Sequence, residues 1–180
     1  MKLWLRLVWA LLSWRSRGPL ELHQVGKRNF RVWPSDLDIF NHMNNGVYLT
    51  LLDLGRFDTL KRSGAWRRAR VGKLHPVVVG ETITFRKSLT PWQVFSIETA
   101  VLGWNDAAFF IQQRFVVAGE VHAEAVVKIR FLKAPRGIPT SQEVLDILGG
   151  WTVPTPELPE WVTDWDAAVA YWDTLATDEG

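Results

Sequence analysis

The chain has 180 residues, and its 21 Lys and Arg side chains against 19 Asp and Glu give a net charge of +2, too small to indicate nucleic-acid binding. It contains no cysteine, which excludes disulfides, thiolate metal sites and cysteine nucleophiles and fits a reducing, cytoplasmic compartment. No apolar run reaches the roughly 18 to 20 residues that cross a bilayer as a helix, so any membrane contact is expected to be peripheral.

The first predicted element is an amphipathic helix over residues 1–16, within an N-terminal unit of residues 1–18. A leucine recurs every fourth residue from Leu3 to Leu11, with basic side chains on another face. Arg6 interrupts the apolar stretch and no small-residue cleavage site follows, so a secretory signal peptide is not expected. Three interpretations stay open: a helix in a membrane interface, a helix docked on the domain or a second subunit, or a frayed end.

A strand over residues 27–33 and a long helix over 44–63 are predicted next. The strand has apolar residues at alternate positions, and Asn44 or Asn45 is a good N-cap for the helix. Apolar side chains spread around most of the helical circumference before Gly64 ends the helix. A helix of this kind is expected to be buried on more than one side.

From His75 onward the hydrophobic pattern changes from helical to alternating, which predicts four consecutive strands. The alternating runs cover residues 77–85, 95–101, 109–117 and 123–131. Turn-forming sequences separate the runs, which is typical of antiparallel neighbours. We therefore expect an α+β fold over residues 21–134, in which about five antiparallel strands form a curved sheet around one long central helix.

The last part of the chain, residues 135–180, is predicted to be a helical extension. Its Pro and Gly content rises first, and two short helices follow over 141–148 and 159–176. The second helix carries a stripe at near-helical spacing, formed by Trp161, Trp165, Val169 and Trp172. Such a stripe is more typical of core or interface packing than of a ligand site.

The densest group of polar residues is SDLDIFNHMNNGVY at residues 35–48. The chain has no Gly-x-Ser-x-Gly elbow, phosphate-binding loop, dinucleotide fingerprint or His-Glu-x-x-His, which argues against several large enzyme classes. A metal held by Asp36, Asp38 and His42 would need a fourth ligand from a distant histidine, without supporting spacing. We therefore expect no metal and no other cofactor.

What remains is a carboxylate, Asp38, just before a helix N-terminus. The amides of Asn45, Gly46 and Val47 should lack intrahelical partners and lie at the positive end of the helix dipole. They can bind a carbonyl oxygen as it becomes an oxyanion, while Asp38 activates water or attacks the carbonyl carbon. This combination predicts hydrolysis of an activated ester.

The order of strand, Asp-x-Asp-x-x-x-His-x-Asn-Asn-x-x-Tyr, helix and four strands resembles the hot-dog-fold acyl thioesterases of the 4-hydroxybenzoyl-CoA thioesterase type. The resemblance covers about residues 21–133 and implies a single hot-dog domain. It implies catalysis by Asp38, polarisation of the thioester carbonyl by the Asn45 amide, and an acyl-CoA or acyl-carrier-protein substrate. It also implies a homodimer or homotetramer with sites at the subunit interface. Plant acyl-carrier-protein thioesterases are similar, with a carboxylate and a histidine matching Asp38 and His42, although they have Asn where this chain has Phe40.

The other polar residues of the motif have structural interpretations as well. Asp36 is expected to cap backbone amides rather than to catalyse. His42, counted with Asp38 and Asn45 as a candidate catalytic residue, either orients Asp38 or the thioester or forms hydrogen bonds within the loop. His122, near the start of a strand on its polar face, is expected to be exposed.

Four further residues are candidates for substrate binding: Asn44, Gly46, Tyr48 and Asp53. The two asparagines are expected to cap the helix through their side chains, and Tyr48 to pack with its hydroxyl bonded nearby. Asp53 is expected to pair with Arg56 three residues later. Because other hot-dog branches take their acid from this helix, Asp53 is also the second candidate base.

Two alternative functions stay open. A hot-dog hydratase or dehydratase acting on hydroxyacyl thioesters would need a paired histidine and acid, for which His42 and Asp53 are the obvious candidates. A non-catalytic, membrane-associated acyl-binding protein would use residues 1–16. The dense basic run over residues 61–73 is either a solvated face or a contact for a coenzyme A phosphate or an acidic carrier protein.

Overall fold

The computed structural model describes residues 17–135, 137–149, 151 and 153–177, with the backbone alone for 171–177. The helix predicted over residues 1–16 lies outside the described residues. The elements in chain order are β1 (Gly26–Arg31), α1 (Asn45–Arg62), α2 (Ala65–Val71), β2 (Leu74–Phe85), β3 (Val94–Trp104), β4 (Phe109–Val117), β5 (Glu120–Lys133), α3 (Ser141–Leu148) and α4 (Glu160–Thr177). Within these residues, no helix is both long and apolar enough to cross a membrane.

The five strands form one antiparallel sheet in the order β1-β3-β4-β5-β2. Register shifts interrupt the β2–β5, β3–β4 and β4–β5 ladders, and such irregularities bend strands and increase their twist. The main core lies between the inner face of this sheet and α1. The predicted α+β fold with five antiparallel strands around a long helix is confirmed.

Helix α1 begins and ends where its sequence predicts. Asn44 is the N-cap, Ser63 is the C-cap, and Gly64 follows in the left-handed region with φ of 72°. Its buried positions lie around most of the helix, as expected, and comprise Tyr48, Leu51, Leu52, Leu54, Gly55, Arg56, Asp58 and Thr59. At Gly55 an added Cβ would lie 2.9 Å from Nε2 of Gln113 on β4, so glycine is needed for the close approach of helix and sheet.

Helix α2 is an element that the sequence did not predict. Its two buried residues are Ala65 and Ala69, one helical turn apart, and its remaining positions are mostly basic. Two alanines one turn apart are too few and too small to produce a recognisable helical pattern of apolar residues in the sequence. The basic run after α1 is therefore partly helical, with a narrow face packed on the domain.

The C-terminal helices occupy the predicted places, but the face that α4 buries coincides only in part with the predicted tryptophan stripe. Val162 is fully buried and Trp165 packs edge-on against Phe110, with ring centroids 6.4 Å apart, whereas Trp161 is 52% exposed. The partners of α4 on β4 and β5 include Phe110 and Val126, whose neighbours along each strand face the main core. Because successive strand residues point to opposite faces, α4 covers the outer face of the sheet.

Contact between α4 and the sheet includes a buried ion pair. Lys128 on β5 is almost fully buried under the helix and pairs with Asp166 of α4. The second carboxylate oxygen of Asp166 accepts a hydrogen bond from Nδ2 of Asn105, at 2.8 Å. Since a buried ammonium group is tolerated only with a partner, this pair selects the orientation of α4.

Replacing Asp166 by Ala should lower the free energy of unfolding by about 3 kcal/mol, because Lys128 would be left charged and buried without a partner. Denaturant unfolding measures the change. The matched control is Asp164→Ala, which removes an exposed acid from the same helix and should change stability little. The double variant Lys128→Met with Asp166→Ala should recover much of the loss; a double variant as unstable as Asp166→Ala would contradict the assignment.

Candidate active site

The loop before α1 is held in shape by Asp36. Residues Pro34–Asp36 form a single 3-10 turn, and the buried carboxylate of Asp36 accepts a hydrogen bond from the amide of Trp33, at 2.8 Å. The backbone carbonyl of Asp36 accepts the amide of Asn44, at 2.8 Å. Asp36 is therefore a structural residue, as predicted, and it joins the two ends of the loop.

Asp38 is half-buried and held through one of its two carboxylate oxygens. Oδ1 accepts the backbone amides of Phe40 and His42, at 2.9 and 3.1 Å. Asn41 allows this turn because it adopts a left-handed conformation with φ of 63°, which asparagine tolerates better than most residues. Oδ2 has no hydrogen-bond partner among the described residues. The loop thus orients the carboxylate and leaves one oxygen for another molecule.

The N-terminus of α1 offers fewer amides than its sequence suggested. The side chain of Asn44 accepts the amide of Gly46 at 2.8 Å, and its backbone carbonyl accepts the amide of Val47 at 2.9 Å. The expectation of three unpaired amides was therefore wrong for Gly46 and Val47, because the N-cap residue uses both. In the described part of the chain, the amide of Asn45 donates to no other group. Nor does the Asn45 side chain cap the helix, so Asn44 alone has that role.

These groups line one pocket of about 270 Å³. Asp38, His42, Asn45 and Tyr48 lie on one side of it, and residues 85–88 form the rest of the wall. The His42 ring is exposed and, within the described residues, makes no hydrogen bond to the loop. The structure thus brings the three candidate catalytic residues to a common cavity.

Tyr48 forms the floor of this pocket. It is almost fully buried, with its ring against Phe85 and Phe115 at centroid distances of 5.0 and 4.8 Å. Its hydroxyl accepts the amide of Leu89 at 3.3 Å, so it packs and bonds as predicted. Burial raises the pKa of the phenol above its ordinary value, so Tyr48 is further disfavoured as a source of negative charge in this pocket.

The wall formed by residues 85–88 was missed because nothing in its sequence marks it as part of a site. His122 supports this wall: its backbone carbonyl accepts the amides of Arg86 and Lys87 at 2.8 and 3.0 Å, and its Nδ1 lies 3.3 Å from the Ser88 carbonyl oxygen. The expectation that His122 is exposed was wrong, since the side chain is only 7% exposed. Residues 86–88, which follow β2, cover the His122 side chain. The alternation of apolar and polar residues along β5 gives no information about such a distant segment.

Asp53 lies apart from this group within the protomer. It is eight residues beyond Asn45, which corresponds to about 12 Å along a helix. Its side chain is 66% exposed and forms the predicted ion pair with Arg56, in a second pocket that shares no lining residue with the first. Arg56 also donates to Oε1 of the buried Gln113, at 2.7 Å, and burial lowers the pKa of its guanidinium.

Metal-ligating side chains do not gather at this site. In the described ranges, no three or more His, Asp or Glu residues are arranged so that they could hold a metal ion.

Comparison with known proteins gives a family and relatives. Residues 32–165 match the family described as the thioesterase-like superfamily. Protein THEM6 of Xenopus laevis is 37% identical over 134 residues, which make up 74% of this chain. That match spans 63% of the relative's own length.

Solved structures share the fold at low sequence identity. The probable thioesterase YbaW from Escherichia coli has a TM-score of 0.65 at 21% identity, covering 68% of this chain and 95% of that chain. A 1,4-dihydroxy-2-naphthoyl-CoA thioesterase from Synechocystis has a TM-score of 0.60 at 12% identity, covering 73% of this chain and all of that one. The expected hot-dog architecture is thus confirmed, and at these identities the likeness extends to the fold alone.

Replacing Asn44 and Asn45 by Ala, one at a time, should show which of the two residues caps α1. Asn44→Ala removes the acceptor for the Gly46 amide and should lower the free energy of unfolding by about 1 kcal/mol. Asn45→Ala removes no hydrogen bond of the described structure and should change stability by only a few tenths. Thermal or denaturant unfolding of both variants tests this, and equal losses would contradict the assignment of the cap to Asn44.

Proposed function

Because this chain belongs to the thioesterase-like superfamily, we propose that it hydrolyses acyl-CoA or acyl-carrier-protein thioesters to a free acid and a thiol. The observation that carries the proposal is that Asp38, with one free carboxylate oxygen, and Asn45, with an unpaired amide, line the same pocket. One group supplies a basic or nucleophilic oxygen, and the other a hydrogen-bond donor for the thioester carbonyl. Neither role needs a metal, a cysteine or a cofactor.

In the proposed reaction the carbonyl oxygen of the thioester binds the Asn45 amide at the N-terminus of α1. The helix dipole favours the negative charge that develops on this oxygen. Oδ2 of Asp38 takes a proton from a water molecule as the water oxygen bonds to the carbonyl carbon. The carbon–sulfur bond then breaks, and the proton passes to the departing sulfur.

A second route uses the same groups. If Oδ2 attacks the carbonyl carbon directly, the thiolate leaves first and water then hydrolyses the mixed anhydride. In both routes Oδ1 stays bound to the backbone amides of Phe40 and His42 and keeps the carboxylate oriented. Single-turnover hydrolysis in ¹⁸O-water tests the direct attack: label in Asp38 identifies it, because water that attacks the Asp38 carbonyl carbon of the anhydride leaves its oxygen on the enzyme.

The remaining candidate residues have smaller roles in this proposal. His42, with its ring at the pocket and without a partner there, orients the water or the thioester. Asn44 and Gly46 shape the binding surface by fixing the first turn of α1, and Tyr48 forms its floor. Asp53 contacts the substrate only if the thioester extends to the second pocket or if a partner subunit brings the two pockets together.

The hydratase alternative finds no support within one protomer. It needs His42 and Asp53 as a pair, whereas these residues line separate pockets and Asp53 pairs with Arg56. The non-catalytic alternative does not account for a half-buried carboxylate with an oxygen left unbonded beside a helix N-terminus. The thioesterase type, the acyl group and a cytoplasmic location with membrane contact through residues 1–16 stay predictions.

Asp38→Asn should reduce thiol release from acyl-CoA by roughly 10²- to 10⁴-fold, because the amide can neither accept the proton nor attack the carbonyl. A thiol-reactive dye follows the reaction across short, long and aromatic acyl-CoAs. The matched control is Asp164→Asn, the same change at an exposed position of α4. An Asp38→Asn enzyme as fast as wild type would remove Asp38 from the mechanism. A loss of thiol release in Asp53→Asn alone would instead identify Asp53 on α1 as the base.

We also propose a homodimer formed through β2, which is an edge of the sheet and pairs only with β5 among the described strands. Three consecutive valines of this edge are partly exposed: Val77 at 39%, Val78 at 42% and Val79 at 40%. Exposed apolar residues are unusual on an edge strand that nothing covers. Two copies related by a twofold axis would pair these edges and bury the valines.

Val78→Lys should convert this dimer to a monomer, because each subunit would place an unpaired charge in the apolar interface. Light scattering coupled to size-exclusion chromatography measures the mass. Val153→Lys makes the same change at an exposed position outside the sheet and should leave the mass unchanged. A Val78→Lys protein that stays dimeric would exclude the β2 edge as the interface.

A further inference from the structure

The end of α1 and helix α2 form a positively charged surface that the proposed chemistry does not use. Residues 59–80 contain six Lys and Arg residues and no Asp or Glu. Several of them line an open groove of about 740 Å³. We call this surface the basic face, and its members are Lys61, Arg62, Gly64, Trp66, Arg67, Arg70 and Val71.

Some cations of this region are needed by the fold and others are not. Arg62 donates to the carbonyl of Gly18 at 3.0 Å, and Arg68 donates to the carbonyls of Ser63 and Leu148. In contrast, the exposed side chains of Arg67 and Arg70 form no hydrogen bond or ion pair in the part of the chain that the structure describes. Their charge is therefore available to an external anion.

The basic face also presents apolar groups. Val71 is 80% exposed, one helical turn from Arg67, and Trp66 lies one turn from Arg70. The ammonium group of Lys61 lies over the Trp66 ring, 5.1 Å from its centroid. An exposed valine and a half-buried tryptophan among cations suit a lipid surface better than a soluble phosphate, which offers no apolar surface to cover them.

The residues that directly follow the predicted amphipathic segment lie beside this face. Arg17 pairs with Asp58 at 2.6 Å, and the amide of Leu20 donates to the carbonyl of Arg62 at 3.3 Å. Together with the Arg62–Gly18 bond, these contacts hold the first described residues against the C-terminal end of α1. Residues 1–16, with their tryptophans and basic side chains, therefore connect to the domain at the edge of the basic face.

We propose that the basic face binds the surface of an anionic phospholipid bilayer, as a second contact beside residues 1–16. One weak apolar anchor gives only marginal membrane binding, and stable attachment takes a second signal such as a polybasic surface. Each cation near an anionic membrane surface increases binding about fivefold. This inference is independent of the thioesterase proposal, because it involves no residue of the Asp38 pocket.

The test uses the full chain with vesicles of phosphatidylcholine, with or without phosphatidylserine, and a flotation assay. Wild type should bind the anionic vesicles more tightly, and added salt should weaken that binding. Arg67→Gln with Arg70→Gln should weaken it by tenfold or more, since two cations near the surface are lost. The matched control, Lys27→Gln with Arg114→Gln, removes the same charge from two cations that pair with Glu98 on the sheet, and should bind like wild type.

Three results would overturn the proposal. The first is that the two double variants bind anionic vesicles equally. The second is that Arg67→Gln with Arg70→Gln loses binding to an acyl carrier protein while vesicle binding stays unchanged. The third is a raised KM for acyl-CoA in that variant with unchanged vesicle binding, which would assign the face to coenzyme A phosphates. Thiol release in the absence of lipid, measured alongside, shows whether the thioesterase proposal fails separately.

Discussion

The close packing of α1 on the inner face of the sheet is the constraint on which the rest of the structure depends. Gly55 permits it, because any side chain there would collide with Gln113 and Ile97. The buried Gln113 then bonds the carbonyl of Leu52 and the guanidinium of Arg56, so the helix is fixed in rotation as well as in distance. Both ends of α1 are consequently held in set places relative to the strands, and each end carries one of the proposed activities.

At the N-terminal end, chemistry is possible because the cap does not satisfy every amide. Asn44 uses its side chain and its backbone carbonyl for the amides of Gly46 and Val47, which leaves Asn45. The Asp38 carboxylate is likewise only partly bonded. Two backbone amides donate to one of its oxygens, and the other oxygen has no partner within the described residues. Hydrogen bonds that stabilise the loop and the helix therefore also orient the two groups proposed to act on the thioester.

The C-terminal end of α1 is organised by charge. The buried carboxylate of Asp58 forms an ion pair with the buried Arg28, at 2.9 Å, and a second one with Arg17. It therefore fixes the position of the segment that follows residues 1–16. An 18-residue helix is about 27 Å long. The basic face and the Asp38 loop therefore lie at opposite ends of this helix.

The sequence by itself determined the five strands, the long helix α1 and the turns that flank it. Strand alternation, the Asn cap, the glycine stop and the Asp-containing turn depend on residues within a few positions of one another, so they could be predicted. Only the tertiary structure decided which amide stays unpaired, that residues 85–88 complete the pocket, that His122 is buried and that Asp53 lies apart from Asp38. It also decided which side of α4 meets the sheet and that α2 is a helix. Each of these outcomes depends on contacts between distant segments or on the choice between two local hydrogen-bond partners, and a linear pattern of residue types carries neither.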